Sequence, residues 1–127
     1  MAGIFEQNGV LEKVLVFCRE QKNIVALYMF GSTVTGRDRR GSDVDLAVMV
    51  WEDITEECRV TWETLLSKLL RSDVDLVVFS RSLPLLQHQI LKYGRLVYER
   101  DSSERIRQEV FSRAEYLDSK ELFKEIR

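Results

Sequence analysis

Two short groups of residues between positions 24 and 50 have the types and spacing to do chemistry together. Gly31 and Ser32 end one apolar run, and Asp43 and Asp45 open a second run after ten intervening residues. A glycine lets backbone N–H groups approach a phosphate, and a serine adds a hydroxyl donor. Two aspartates at positions i and i+2 of a strand point to one face, and Mg²⁺ combines such carboxylates with substrate phosphates. This stretch therefore predicts a phosphate chain and a divalent cation held side by side.

A third carboxylate is expected from the segment DVDLVVF at positions 73–79, where Asp73 and Asp75 share one face of a strand. Asp75 lies inside the apolar run, whereas Asp73 lies at its edge. A carboxylate in a core strand is costly unless something compensates it, and a metal site on that face would do so. We therefore favour Asp75 as the third carboxylate, with the role of bridging metals or accepting a proton from an attacking hydroxyl.

The elements that must position these groups follow from hydrophobic periodicity. Apolar, β-rich runs predict strands, and segments with helical spacing lie before, between and after them. The predicted strands span residues 24–30, 43–50, 73–79 and 95–98, and the predicted helices include residues 55–70, a segment near 83–94 and everything from 103 onward. We expect one α/β domain over residues 1–127, with a mixed sheet of about four strands flanked by helices.

The last predicted helix has an apolar stripe at helical spacing, consisting of Ile106, Val110, Ala114, Leu117 and Phe123. Charged residues cover its other faces. The stripe either packs on the domain itself or meets another chain, which could be a second copy or a different partner. The sequence leaves these alternatives open.

Composition excludes several function classes. The chain has 19 basic and 21 acidic residues, with a formal charge of −2, so a general nucleic-acid coat is not expected. No apolar run approaches the roughly 20 residues of a membrane span. The N-terminus lacks the basic start and long apolar core of a signal peptide. We expect a cytoplasmic protein with no membrane partner and no direct contact with nucleic acid.

The order Gly31-Ser32, ten residues, Asp43-Val44-Asp45 resembles the signature of the DNA polymerase β-type nucleotidyltransferases. The small size resembles the minimal nucleotidyltransferases within that superfamily. The segment RLVYERD, which begins at position 95, and the helix after it are similar to those of MntA-like antitoxins from HEPN/MNT toxin–antitoxin modules. The similarity extends over nearly the whole chain.

The resemblance implies an activity and a set of roles. Such enzymes use ATP and Mg²⁺ to transfer AMP with release of pyrophosphate, and the antitoxins modify a tyrosine of a HEPN toxin. Gly31 and Ser32 would hold the triphosphate, and Asp43, Asp45 and Asp75 would bind the metals. Two alternatives stay open: transfer to a small-molecule hydroxyl, as in aminoglycoside nucleotidyltransferases, and neutralisation of a partner by contact alone. The length leaves little room for a further substrate domain, and the clustered carboxylates argue against a purely non-catalytic role.

Overall fold

The structure is a computed structural model that describes residues 9–31 and 43–126. These ranges contain four strands and four α-helices. The strands are β1 (Ile24–Phe30), β2 (Val44–Val50), β3 (Val74–Val78) and β4 (Arg95–Glu99). The helices are α1 (Val10–Glu20), α2 (Glu56–Leu70), α3 (Pro84–Tyr93) and α4 (Ser102–Ile126), and a 3₁₀ turn, Phe79–Arg81, follows β3.

The strands form one mixed sheet in the order β3-β2-β1-β4. Strand β1 pairs antiparallel with both β2 and β4, whereas β2 and β3 run parallel. The parallel pair is joined by α2, because a parallel connection must cross from one end of the sheet to the other. The predicted mixed sheet of four strands flanked by helices is confirmed.

Strands β2 and β3 begin one residue later than predicted. Asp43 and Asp73 each precede the first residue of a strand, and the N–H of Val44 donates to the carbonyl of Asp73 at 2.8 Å. This bond starts the parallel ladder between β2 and β3. Asp45 and Asp75 therefore lie within the paired strands, whereas Asp43 lies just before the first residue pair of the ladder.

The two faces of the sheet bury different side chains. Helices α1 and α2 cover the face that carries Leu27, Leu46 and Leu76, together with most of the core. The 3₁₀ turn and α3 pack on the other face, in a smaller apolar cluster that contains Tyr28, Ala47, Met49, Phe79 and Ile90. Because strand residues alternate between faces, Asp45 and Asp75 lie on the second face.

Helix α4 packs against α3 and β1 through polar side chains. Glu109 and Ser112 are buried, and the hydroxyl of Tyr28 donates to Glu109 Oε2 at 2.6 Å. The hydroxyl of Ser112 donates to Gln87 Oε1 at 2.8 Å. Four members of the predicted apolar stripe consequently face away from the sheet, namely Ile106, Val110, Ala114 and Leu117. The side chain of Phe123, its fifth predicted member, lies outside the described residues. No helix in the described ranges is long and apolar enough to cross a membrane.

Candidate active site

Gly31 lies directly after β1 and is held against Asp45. Its backbone has φ +80°, a left-handed conformation that favours glycine, and a Cβ added here would lie 2.3 Å from Asp45 Oδ2. The pairing of Phe30 with Asp45 across β1 and β2 explains this close approach. Glycine is therefore favoured here by the left-handed backbone, and any larger residue would also displace the Asp45 carboxylate, a reason that the sequence pattern does not reveal.

Strand pairing brings the second and third predicted carboxylates together. Asp45 of β2 is paired with Asp75 of β3 in the parallel ladder. Neighbouring strands lie about 4.8 Å apart, so the two side chains leave the same face at adjacent positions. The register thus favours Asp75 over Asp73, which precedes the strand, as the neighbour of Asp45.

The charges of this cluster act on each other. Burial raises the pKa of the Asp45 carboxyl above its usual value, and the negative charges of Asp75 and Asp43 raise it further. None of the ion pairs in the described part of the chain includes any of these three aspartates. As far as the described residues show, the cluster is therefore a site of concentrated negative charge without a partnering side-chain cation.

Exposure differs from the expectation for Asp75. Asp43 and Asp75 are exposed and Asp45 is half-buried. The sequence predicted that the Asp75 side chain is buried and that its charge needs compensation. This prediction of burial is wrong. Strand β3 lies at the edge of the sheet, and its side of the second face is left open to solvent there. An exposed carboxylate at this place can be reached by a large acceptor.

The donor set fits Mg²⁺, which prefers oxygen ligands and fills its octahedron from one or two carboxylates, water and substrate phosphates. Asp45 with Asp43 or with Asp75 provides such a carboxylate pair. Within residues 9–31 and 43–126, no three His, Cys, Asp or Glu side chains are arranged to hold an ion by themselves. The arrangement therefore suits a cation shared between a carboxylate pair and a phosphate chain, more than a metal enclosed by protein alone.

An open cleft of about 430 Å³ adjoins this cluster. Asp75, Arg59, Arg81, Ser82 and Leu86 are among the residues that line it. The cleft runs along the free edge of β3 toward the start of α3. Another molecule can reach Asp75 through this cleft without passing the Gly31 turn.

Arg59 and Glu63 support this edge, a role that sequence reasoning missed. Glu63 Oε2 accepts from the N–H of Leu76 at 2.9 Å, and Arg59 donates to the Leu76 carbonyl at the same distance. Arg59 also donates to Glu63 at 2.9 Å. These bonds satisfy the outward backbone groups of the residue next to Asp75, so they fix the position of the carboxylate. The i,i+4 spacing of the two residues on α2 is the only sequence signal, and it is common to ordinary surface pairs.

Ser32, predicted to hold phosphate, lies outside the described residues. Gly31, Asp43, Asp45 and Asp75 are all brought to one corner of the sheet. This corner combines a glycine turn with a carboxylate pair on adjacent strands.

A fold of this kind with this corner is that of a nucleotidyltransferase. The chain belongs to the polymerase β-type family, because the family model "Polymerase beta, Nucleotidyltransferase" matches residues 12–103. This confirms the resemblance seen in the sequence.

One sequence relative and several solved structures are similar to this chain. Protein adenylyltransferase MntA of Shewanella oneidensis is 32% identical over 72 residues, which are 57% of this chain and 52% of that protein. The match thus extends over about half the length of this curated relative. A chain of a toxin–antitoxin complex crystallised with AMP-PNP superposes with a TM-score of 0.80 and 24% identity, covering 91% of this chain and 94% of that one.

A second solved structure has the same fold. It contains a tri-AMPylated Shewanella oneidensis HEPN toxin in complex with an MNT antitoxin. The superposition has a TM-score of 0.74 and 21% identity, and it covers 92% of each chain. At these identities, the two superpositions establish the fold.

Proposed function

We propose that this chain is a Mg²⁺-dependent nucleotidyltransferase that transfers AMP from ATP to a tyrosine hydroxyl of a HEPN toxin and so acts as an antitoxin. The observation that carries the proposal is the pairing of Asp45 with Asp75 beside the Gly31 turn. The 32% identical relative, which is a protein adenylyltransferase, supports AMP as the transferred group. ATP as the donor favours a reaction in the cytoplasm.

The proposed step is an in-line displacement at the α-phosphorus of ATP. A bond forms between the acceptor oxygen and the α-phosphorus, the bond from that phosphorus to the pyrophosphate oxygen breaks, and pyrophosphate leaves with the electron pair. Asp75 accepts the proton of the acceptor hydroxyl, since it is exposed and adjoins the open cleft. Gly31 and Ser32 hold the triphosphate, and Asp43 and Asp45 hold Mg²⁺, which supplies positive charge to the phosphates when bound.

Access to Asp75 supports a macromolecular acceptor. The cleft is open along the sheet edge, and two exposed leucines of the α3 start, Leu83 and Leu85, lie just beyond Ser82. A protein surface can present a tyrosine into such an open cleft, whereas a small molecule is usually enclosed by the site that binds it. The alternative of transfer to a small-molecule hydroxyl has less support from this shape.

The test is incubation with labelled ATP, Mg²⁺ and the protein encoded by the adjacent reading frame. We expect label on a tyrosine of that protein, loss of its toxicity, and no labelling when Mg²⁺ is chelated. The double variant Asp43→Asn/Asp45→Asn is the inactive control, and Asp73→Asn is a matched control that removes a nearby carboxylate outside the proposed site.

Two outcomes would contradict the proposal. Label that appears only on a small molecule would assign the acceptor to the alternative class. Neutralisation of the partner by the double variant, at wild-type potency and without labelling, would mean that contact alone is sufficient.

A further inference from the structure

Helix α4 is polar where it meets the domain and apolar where it meets solvent. Ile106, Val110 and Leu117 are 48%, 57% and 60% exposed, and Ala114 is also exposed. These four residues form one stripe, because their spacings of four, four and three place them on one side of a helix. An exposed apolar stripe on a folded domain marks a contact with another molecule more often than free surface.

The stripe cannot turn inward without breaking the contacts that dock the helix. Glu109 is only 8% exposed, accepts from the Tyr28 hydroxyl at 2.6 Å and forms an ion pair with Arg105. Arg105 also pairs with Glu99 of β4. Rotation of the helix would leave these buried charges without partners, which is far more costly than exposing a few methyl groups. The apolar stripe is therefore a fixed feature of the surface.

We propose that a second copy of this chain covers the stripe, with the two α4 helices packed antiparallel about a two-fold axis near residue 112. In that arrangement Val110 of one copy lies opposite Ala114 of the other, and Ile106 lies opposite Leu117. Because Ala114 is small, it leaves room for Val110 of the other copy, and the two helices can approach closely. Each apolar residue of the stripe thereby gains an apolar partner.

Charge complementarity selects a second copy as the occupant. The same two-fold axis places Arg107 opposite Asp118, once at each end of the contact. Both residues are exposed and flank the stripe on the same side, and Arg107 also pairs with Glu104 of its own helix. In an antiparallel pair, each side of one helix faces the equivalent side of the other helix. Opposite charges can therefore meet only where one side carries both a positive and a negative residue, as this side does. A stripe made for an unrelated partner would have no need of this internal symmetry.

The contact is small. From Ile106 to Leu117 the helix rises about 17 Å at 1.5 Å per residue. Such a contact buries less than the roughly 800 Å² per partner of a standard interface. We therefore expect a dimer that forms and dissociates with concentration. This association does not depend on the proposed AMP transfer, so either can fail while the other stands.

Sedimentation velocity from low micromolar to submillimolar concentration tests the proposal. We expect a monomer–dimer equilibrium for the wild type. Arg107→Asp and Asp118→Arg should each weaken the dimer by about tenfold, because both contacts at the two-fold axis then bring like charges together. An equal mixture of the two variants should regain the wild-type affinity as a heterodimer, in which both contacts are again of opposite charge.

Further variants separate the stripe from general surface effects. Val110→Asp should abolish the dimer, whereas Leu85→Asp, which adds the same charge at another exposed apolar position, should leave it intact. Circular dichroism confirms that each variant is folded. A wild type that stays monomeric throughout would overturn the proposal. So would single variants that remain monomeric when mixed. If Val110→Asp instead abolished binding of the adjacent-frame protein to a monomeric wild type, that protein would be the occupant.

Discussion

Two polar clusters lie on the same face of the sheet, and they differ in how their charges are balanced. In the cluster at the α4 contact, Glu109 accepts from Tyr28 and pairs with Arg105, which pairs in turn with Glu99. In the cluster at the Gly31 turn, burial and the charges of Asp75 and Asp43 raise the pKa of Asp45, and none of these three aspartates forms an ion pair within the described ranges. The first cluster is complete as it stands. The second, the aspartate cluster, has no cationic partner among the described residues, which supports the role proposed for it in binding Mg²⁺.

The largest effect is expected from removing charge at the aspartate cluster. Asp43→Asn/Asp45→Asn should reduce AMP transfer by roughly a thousandfold or more, because the cation that offsets the developing phosphate charge loses its ligands. The free energy of unfolding in the absence of Mg²⁺ should not fall, since like-charge repulsion is relieved. Transfer of label and urea denaturation measure the two quantities. Full activity in this double variant would contradict the enzyme assignment.

The same kind of change at the complete cluster should have the opposite consequence. Glu109→Leu should lower the free energy of unfolding by roughly 3 kcal/mol, because Tyr28 and Arg105 lose their buried partner. Urea denaturation measures the loss, and Glu115→Leu, at an exposed position of the same helix, is the matched control. A loss no larger than that of the control would show that α4 is not held by this network.

A smaller difference is expected between the two candidates for the third carboxylate. Asp75→Asn should reduce transfer by about a hundredfold, within the usual range for a general base. Asp73→Asn should reduce it only slightly, because that residue precedes β3 and does not share the register of Asp45. Single-turnover labelling at saturating ATP measures both. The reverse order would mean that the proton leaves toward Asp73 and that the register does not decide the role.

Much of this architecture could be predicted because local patterns specify it. The run at 24–30 is apolar throughout and the run at 44–50 is apolar apart from Asp45, so both were predicted to be strands of the core. The i,i+2 spacing of Asp43 and Asp45 fixed their common face. The order of strands and the pairing of Asp45 with Asp75 are non-local, and the sequence could suggest them only through the family resemblance.

The wrong expectation for Asp75 and the question that the sequence left open for helix α4 have a shared physical cause. Asp75 lies in an apolar run, yet it is exposed, because burial depends on what covers a strand and not on the strand itself. Helix α4 shows the converse: Ile106, Val110 and Leu117 are exposed, since specific pairs with Tyr28 and Gln87 hold the polar side of the helix inward. Periodicity reports that a helix has two faces, but it does not report which face the domain selects when the polar one has buried partners.

The smallest effect is a dependence of stability on pH that separates the two clusters. The pKa of Asp45 in the folded state is raised above its ordinary value of 3.8, so the folded protein holds this proton more tightly than the unfolded chain. The associated stability is present below 3.8 and is lost as pH rises through the raised pKa, the reverse of a carboxylate in an ion pair. Because the site is partly exposed and screened, the effect should stay below about 1 kcal/mol. In thermal unfolding without Mg²⁺, the stability of Asp45→Asn relative to the wild type should therefore increase as pH rises through this window. Saturating Mg²⁺ at neutral pH should stabilise only the wild type. Equal stabilisation of both proteins by Mg²⁺ would mean that the cation binds elsewhere, and the contrast between the two clusters would lose its functional meaning.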